Sequence, residues 1–145
     1  MSHRAVEILL VEDNAAEARL AKEVLNETKV RHHFHHFADG NEALAYLLRE
    51  GQYTNARRPH LILLDLNLPG RGGHALLADI KSDAALKRIP VVILSSSRAE
   101  EDILRAYDLN ANCYISKPLD FEELVKVVQS MATFWLSIAK LPTNE

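Results

Sequence analysis

Five polar side chains stand where apolar runs of the sequence end. Glu12 and Asp13 follow VEILLV, Asp65 ends LILLD, Ser95 ends VVILS, and Lys117 follows CYIS. A carboxylate can act as a nucleophile and form an acyl phosphate, while a cation and a hydroxyl donor can stabilise the transferring phosphoryl group. These residue types predict phosphoryl transfer to Asp65, assisted by Lys117 and Ser95, with the two serines after Ser95 as alternatives.

The acids in this set point to a metal ion. Three carboxylates brought together without counter-charge repel one another, and burying them uncompensated is costly. Mg²⁺ prefers oxygen ligands and usually takes one or two carboxylates, waters and a phosphate oxygen. Glu12, Asp13 and Asp65 suit that preference, with Mn²⁺ as a possible replacement. The cluster contains neither thiols nor imidazoles, which disfavours zinc.

The elements that position these residues follow from hydrophobic periodicity. Strands are predicted at residues 6–11, 32–38, 61–65, 91–94 and 113–116. Helices are predicted at residues 15–27, 41–50, 74–82 and 100–109, and a last helix begins after Asp120. Asp13 and Asn14 are both candidate caps of the first helix, and Asp120 with Glu123 matches a capping box.

Five alternating strands and helices predict one α/β domain. Strands joined by helical crossovers form a parallel sheet with helices on both faces, and such strands are apolar throughout, as ILLV, LILL and VVIL are. The predicted fold is a doubly wound five-stranded sheet, and the strand order expected for it, 2-1-3-4-5, is the one that flavodoxin-like sheets have. Ligands bind such sheets at the carboxyl ends of the strands, where the winding reverses between strands one and three. The five polar residues above meet at that edge.

Composition limits the classes of function. The 145 residues suit a single domain, since domains commonly have roughly 100–150 residues. A net charge of −3 offers no basic surface for nucleic acid. A single cysteine, Cys113, fits a reducing cytoplasm and is interpreted as a small core residue. No signal peptide or stretch of roughly 20 apolar residues is present, so neither secretion nor membrane insertion is expected.

The histidine-rich second strand is interpreted as an outer strand with solvated side chains. In HHFHHF, His33 and His35 share one face and His32 and His36 share the other, so the four imidazoles cannot converge. A metal captured by one pair is the alternative.

The last helix carries more apolar surface than one core contact needs. Its apolar arc is close to twice the roughly 100° that such a helix buries. Excess apolar surface of this kind usually marks a partner. We expect a homodimer through this face, with Phe134, Trp135 and Ile138 as candidate contacts; terminal turns that fold back on themselves are the alternative.

The quoted residues, with Asp65 inside LLDLNLP and Lys117 followed by proline, resemble the receiver domains of two-component response regulators. The resemblance extends over nearly the whole chain. It implies that Asp65 is the phosphoacceptor for a sensor histidine kinase and that Lys117 contacts the phosphoryl group. Glu12 and Asp13 would hold Mg²⁺ with Asp65 and the backbone carbonyl of Asn67. Such a protein is not an enzyme, although it assists its own phosphorylation and dephosphorylation.

The same resemblance implies a conformational switch. Ser95 would be the hydroxyl switch residue and Tyr114 the switch aromatic, and the Lys117–Pro118 peptide bond would be cis. An X–Pro bond tolerates the cis form at a cost of about 0.5–1 kcal/mol. One departure from the family pattern is Gly72, where receivers often have aspartate.

A narrower resemblance comes from the longer loop before strand three and the ending FWLSIAKLP. Both are similar to the small stand-alone cyanobacterial response regulators that work with phytochrome kinases. This implies a phytochrome as the candidate kinase, and a single receiver domain over residues 1–145 with no output domain.

Two other functions remain open at this point. A haloacid dehalogenase-type phosphotransferase also uses a strand-end aspartate, but it requires a second acid two residues later, where this chain has Asn67. A receiver-like binding module that is never phosphorylated would have no need of Asp65, Lys117 and the acidic pair.

Overall fold

A parallel five-stranded sheet forms the centre of the molecule in the computed structural model, which describes residues 5–142. The strand order is β2-β1-β3-β4-β5, and every neighbouring pair is parallel. The strands are β1 Val6–Val11, β2 His32–Phe37, β3 Leu61–Leu64, β4 Val91–Ser95 and β5 Cys113–Ser116. The predicted doubly wound fold and its strand order are confirmed.

Five α-helices cover the two faces of the sheet. They are α1 Ala15–Asn26, α2 Gly40–Leu47, α3 Gly73–Ser82, α4 Glu100–Asp108 and α5 Phe121–Thr133. Alternate residues of the strands point to opposite faces, so Leu9 and Ile62 pack in the cluster under α2 and α3, whereas Ile8 and Leu63 pack in the cluster under α1 and α5. The inner strands are buried on both faces, which is why their sequences are apolar without alternation.

Side chains cap the N-termini of helices α1, α2 and α5. Asn14 accepts a hydrogen bond from the backbone N–H of Glu17, which decides between the two predicted caps of α1. Asp120 accepts from the backbone N–H of Glu123, as the capping-box pattern predicts. These caps satisfy N–H groups that have no partner within the helix.

The C-terminal segment differs from the single helix that its periodicity predicts. Helix α5 ends at Thr133, and a wider π turn follows at Phe134–Ile138, closed by a hydrogen bond from the N–H of Ala139 to the carbonyl of Phe134. An i→i+5 turn breaks the spacing of 100° per residue. As a result Trp135 packs partly against the core under α1 and α5, while Ile138 is 66% exposed.

The predicted cis bond between Lys117 and Pro118 is wrong for this structure. Residues 5–142 contain no cis peptide bond. The trans form is the lower-energy isomer even before proline, and with it the N–H of Lys117 still donates to the carbonyl of Ser95.

Among the described residues, no helix has the length and apolar character needed to cross a bilayer.

Candidate functional site

The polar residues predicted to act together meet at the carboxyl edge of the sheet. Backbone hydrogen bonds continue the strand pairing into the site: the N–H of Asp65 donates to Val11, and that of Lys117 donates to Ser95. These bonds join the end of β3 to β1 and the end of β5 to β4, and the pairing of β3 with β4 connects the two pairs. Rigid strand ends, rather than a mobile loop, position the acids and the lysine.

The acids form a compact cluster. Glu12, Asp13 and Asp65 each offer one carboxylate oxygen such that all three oxygens lie within 4.8 Å of one another. Glu12 and Asp65 are buried, and Asp13 is exposed at the mouth of the site. An all-oxygen set open to solvent on one side fits a hard divalent cation that keeps some of its water. The predicted metal-ligand side chains are thus brought together.

The charge balance of this cluster also favours a cation. Burial raises the pKa of Glu12, the hydrogen bond from Lys117 lowers it, and the charge of Asp65 raises it again, leaving the pKa at about 7. Ionising all three acids together is unfavourable without additional positive charge nearby.

Lys117 supplies one positive charge within the site. Its Nζ donates to Oε1 of Glu12 at 2.6 Å and to Oε1 of Glu17 at 2.6 Å, and lies 3.5 Å from Oδ2 of Asp65. Burial lowers the pKa of Lys117, but the hydrogen bonds that Lys117 donates to Glu12 and Glu17, together with the charges of Glu12 and Asp65, outweigh that effect and raise the pKa. Lys117 therefore keeps its proton, and proton uptake near neutral pH is assigned to Glu12.

Glu17 is the site residue that sequence reasoning missed. It lies in the first turn of α1. From sequence alone, an acid at this position is interpreted as a solvent-exposed side chain that interacts favourably with the helix dipole. Only three residues separate the end of β1 from the start of α1, so the first turn of α1 passes over the lysine. The sequence signal that could have identified Glu17 is the short connection between the acidic pair and α1, which places the first turn of the helix beside the site.

Ser95 ends β4 and is fully buried. Leu64 pairs with Ile93, so Ser95 lies beside the turn that follows Asp65. Its Oγ accepts a hydrogen bond from the N–H of Ser97. The predicted role of the Ser95 hydroxyl stays a prediction.

Tyr114 lies outside the acidic cluster and contacts the loop after Ser95. Its hydroxyl donates to the carbonyl of Ser97 at 2.9 Å, and the hydroxyl of Ser97 donates to Asp102 at 2.6 Å. The loop between β4 and α4 is therefore tied to β5 through Tyr114 and to α4 through Asp102. The switch role of Tyr114 stays a prediction.

Helix α3 begins at Gly73, which packs so closely against the chain after β3 that no side chain fits there. A Cβ there would lie 2.5 Å from the carbonyl oxygen of Asp65 and would also collide with the backbone of Leu66. Gly73 therefore lets α3 begin against the strand end.

Asn67 lies two residues after Asp65 and contacts its side chain. The backbone N–H of Asn67 donates to Oδ1 of Asp65 at 3.4 Å. The carbonyl of Asn67 as a metal ligand stays a prediction.

The histidines of β2 are not simply solvated. His33 and His35 lie 2.6 and 2.9 Å from the two carboxylate oxygens of Glu7, a buried acid of β1. Burial raises the pKa of Glu7, but the hydrogen bonds and charges of the two histidines lower it below its ordinary value. The predicted shared face of His33 and His35 is correct, and the partner they share was not anticipated. This group lies at the opposite edge of the sheet from Asp65.

The candidate dimer residues lie away from the acids. Phe134 is 48% exposed, and its ring meets that of Trp135 edge to face at 5.3 Å. A cavity of about 620 Å³ between β5 and α5 is lined by Cys113, Met131 and these two aromatic residues, among others.

Comparison with known proteins assigns the family. The protein family described as "Response regulator receiver domain" matches residues 8–129 of this chain. The chain belongs to this family. The resemblance inferred from the strand-end acids, the serine and the lysine is thereby confirmed.

Individual relatives match the receiver over nearly its full length. The response regulator Rcp1 of Synechocystis is 47% identical over 93% of this chain and 92% of its own. The probable methanogenesis regulatory protein FilR2 of Methanothrix harundinacea is 40% identical over 93% of this chain and 86% of its own.

Solved structures give the same result. The phosphorylated cyanobacterial phytochrome response regulator RcpA superposes with a TM-score of 0.94, is 52% identical and covers 97% of this chain and all of its own. The Mn²⁺-bound form of Rcp1 also has a TM-score of 0.94, with 46% identity over 95% of this receiver and 99% of its own chain.

Proposed function

We propose that Asp65 accepts a phosphoryl group from the phosphohistidine of a sensor kinase in two-component signalling. A carboxylate oxygen of Asp65 attacks phosphorus, the P–N bond to histidine breaks, and the imidazole leaving group takes a proton. The product is an acyl phosphate on Asp65. The observation that carries this proposal is the approach of the Lys117 ammonium to within 3.5 Å of Asp65, beside an acidic cluster.

We infer that Mg²⁺ is the cation of the site, held by Glu12, Asp13, Asp65 and the carbonyl of Asn67. A divalent cation supplies charge neutralisation for the phosphoryl oxygens. The oxygen-only donor set supports Mg²⁺, and Mn²⁺ has similar ligand preferences. Lys117 contributes a second positive charge, and Ser95 contributes a hydroxyl donor once its loop approaches the phosphoryl group.

The output of phosphorylation is a movement of the loop after β4. We propose that Ser95 moves toward the phosphoryl group and that Tyr114 re-seats as its bond to the Ser97 carbonyl is lost. Changing the ratio of the two loop conformations from 1:99 to 99:1 requires the phosphoryl group to interact with one conformation about 5.5 kcal/mol more favourably than with the other. Several charge-assisted hydrogen bonds, at about 1.5–3 kcal/mol each, supply energy of that size.

The kinase docks beside the site in this proposal. Leu119 is 99% exposed and Phe121 is 61% exposed, two and four residues after Lys117 in the chain. Phe121 also lines a groove of about 740 Å³ between α1 and α5. Exposed apolar side chains next to a reacting group support docking of a protein partner. The likeness to RcpA, described as a phytochrome response regulator, makes a phytochrome kinase the proposed donor.

Phosphorylation with a small-molecule donor tests the function. The wild-type chain incubated with acetyl phosphate and Mg²⁺ should gain the mass of one PO₃ group, and Asp65→Asn should gain none. Asp83→Asn is the matched control, because Asp83 is a helix-terminal acid that accepts hydrogen bonds from the backbone of its own turn. A mass gain that persists in Asp65→Asn, or no gain in the wild type, overturns the proposal.

The same experiment separates the rival functions. Repeated turnover of phosphoesters would indicate a phosphotransferase of the haloacid dehalogenase type, and a chain that binds partners but takes no phosphoryl group would indicate a binding module. Membership of the receiver family favours neither rival.

We also propose a homodimer through the C-terminal segment. Phe134 and Ile138 are exposed, and the neighbouring apolar cavity along β5 adds surface to the same face. Phe134→Glu with Ile138→Glu should convert a dimer into a monomer in sedimentation velocity. Leu104→Glu, an exposed apolar residue on α4, is the control. A wild-type monomer, or a dimer that survives the double substitution, contradicts this proposal.

We also propose that the protein acts as a stand-alone receiver in the cytoplasm. The alignment with Rcp1, which covers more than nine-tenths of both chains, supports a role like that of Rcp1 for the receiver domain. The free cysteine, Cys113, is compatible with a reducing compartment. The low net charge supports a protein partner rather than nucleic acid.

A further inference from the structure

The three partners of Lys117 are unequal. An ammonium group has three protons to donate, and two of them are used in contacts of 2.6 Å with Glu12 and Glu17. Asp65 is at 3.5 Å, the outer limit of hydrogen bonding. The ammonium is therefore held toward α1, away from the acid that receives the phosphoryl group.

Glu12 and Glu17 differ in what else they do. Glu12 belongs to the acidic cluster suited to a cation, and its second oxygen accepts from the N–H of Asn14. Glu17 lies outside that cluster within the described part of the chain. When the carboxylate of Glu12 serves the cation site, Glu17 remains as the acid bound to Lys117.

The position of Glu17 is well determined by its helix. Its backbone N–H donates to the Asn14 cap at 3.0 Å, which fixes the first turn of α1 over the lysine. Its side chain is 32% exposed, whereas that of Lys117 is 7% exposed. The contact is thus partly screened by solvent on one side and buried on the other.

We propose that Glu17 is a positioning residue that holds Lys117 on α1 and competes with the phosphoryl oxygens for its ammonium. This inference rests on the proposed phosphorylation of Asp65. Glu17 makes no contact with the reacting atoms and acts through Lys117. Its effect is to slow phosphorylation, because Lys117 must exchange a carboxylate partner for a phosphoryl oxygen.

The rate of phosphorylation at low acetyl phosphate concentration tests this role. Glu17→Gln, which weakens the contact with Lys117, should react about two- to fivefold faster than the wild type, a modest factor because Glu17 is partly exposed. The affinity for Mg²⁺, measured by calorimetry, should stay within about twofold, because Glu17 is not in the acidic cluster.

Glu17→Asp distinguishes positioning from simple repulsion of the anionic donor. Aspartate keeps the charge in the first turn of α1 but is one methylene too short for the present contact. It should therefore react faster than the wild type, as Glu17→Gln does. Glu23→Gln removes the same charge farther along α1 and should leave the rate unchanged.

Each result decides the inference. The positioning role of Glu17 is overturned if Glu17→Gln or Glu17→Asp reacts at the wild-type rate. It is also overturned if Glu23→Gln is accelerated as much as Glu17→Gln. In each of these cases the proposed phosphorylation of Asp65 still stands. A wild-type chain that takes no phosphoryl group overturns both proposals. Circular dichroism checks folding, and Glu17→Asp alone is decisive if Glu17→Gln does not fold.

Discussion

The ammonium of Lys117 lies 2.6 Å from Oε1 of Glu12, although 105 residues separate them in the chain. Both side chains are almost fully buried. The contact joins the ends of β5 and β1 and places a positive charge among acids that would otherwise repel one another. The site is organised around this ion pair.

Replacing the ammonium should abolish most of the chemistry. Lys117→Met should slow phosphorylation by acetyl phosphate by roughly 100-fold or more, the usual cost of losing one preorganised charge-stabilising group. Mg²⁺ should bind more tightly, because a cation beside its ligands is removed. Lys126→Met, an exposed lysine on α5, is the control. Phosphorylation of Lys117→Met at the wild-type rate would contradict this role.

The turn after Asp65 should not tolerate a side chain at Gly73. Gly73→Ala should lower the free energy of unfolding by about 1–3 kcal/mol, since the new methyl group meets the backbone of Asp65 and Leu66. It should also slow phosphorylation. Gly72→Ala has open space and should change stability by less than about 1 kcal/mol. Equal effects in the two variants, measured by urea unfolding, would show that close packing at Gly73 is not the cause.

The Tyr114 hydroxyl should stabilise the loop between β4 and α4. Tyr114→Phe should cost about 1 kcal/mol of stability and accelerate amide hydrogen exchange at residues 96–99, because the bond to the Ser97 carbonyl is lost. Tyr107→Phe removes a different hydroxyl, which accepts from the backbone N–H of Tyr114, and leaves that loop bond in place. Unchanged exchange in Tyr114→Phe would argue against the restraint.

Glu7 should make stability depend on acid pH. Its pKa in the folded protein lies below the ordinary value of 4.5, so its contribution is fully present above that value and is lost as the pH falls through the lowered pKa. Glu7→Gln should therefore be less stable than the wild type by roughly 1–3 kcal/mol at neutral pH. The difference should shrink as the pH falls below the folded-state pKa of Glu7. Urea unfolding across this range provides the measurement, and a difference that does not vary with pH would exclude an ionised Glu7.

Much of the fold was predictable because it depends on local pattern. The limits of β1 and β5 agree with the prediction, since short apolar runs bounded by polar residues specify buried strands. Helix limits differ by a few residues at their ends, where caps and hydrogen bonds to the loop decide the last turn. Asn14 rather than Asp13 caps α1 because of such a bond.

Other features depended on contacts that pattern does not encode. Nothing in VEILLV distinguishes Glu7 from an ordinary exposed strand residue, yet it is buried between two imidazoles of β2. The π turn at Phe134–Ile138 likewise follows from how α5 ends, and it separates Trp135 from Ile138 on a stripe that a regular helix would keep together.

By itself, the sequence determined the α/β class and the edge of the sheet at which Asp65, Glu12 and Lys117 collect. Those properties follow from alternating apolar runs and from the way parallel strands end at one side of a sheet. Only the tertiary structure decided that Lys117 bonds to Glu17 as well as Glu12, and that its bond to Pro118 is trans. The reason is that a helix packed over a strand end brings together side chains 100 residues apart, and local spacing carries no information about such a contact.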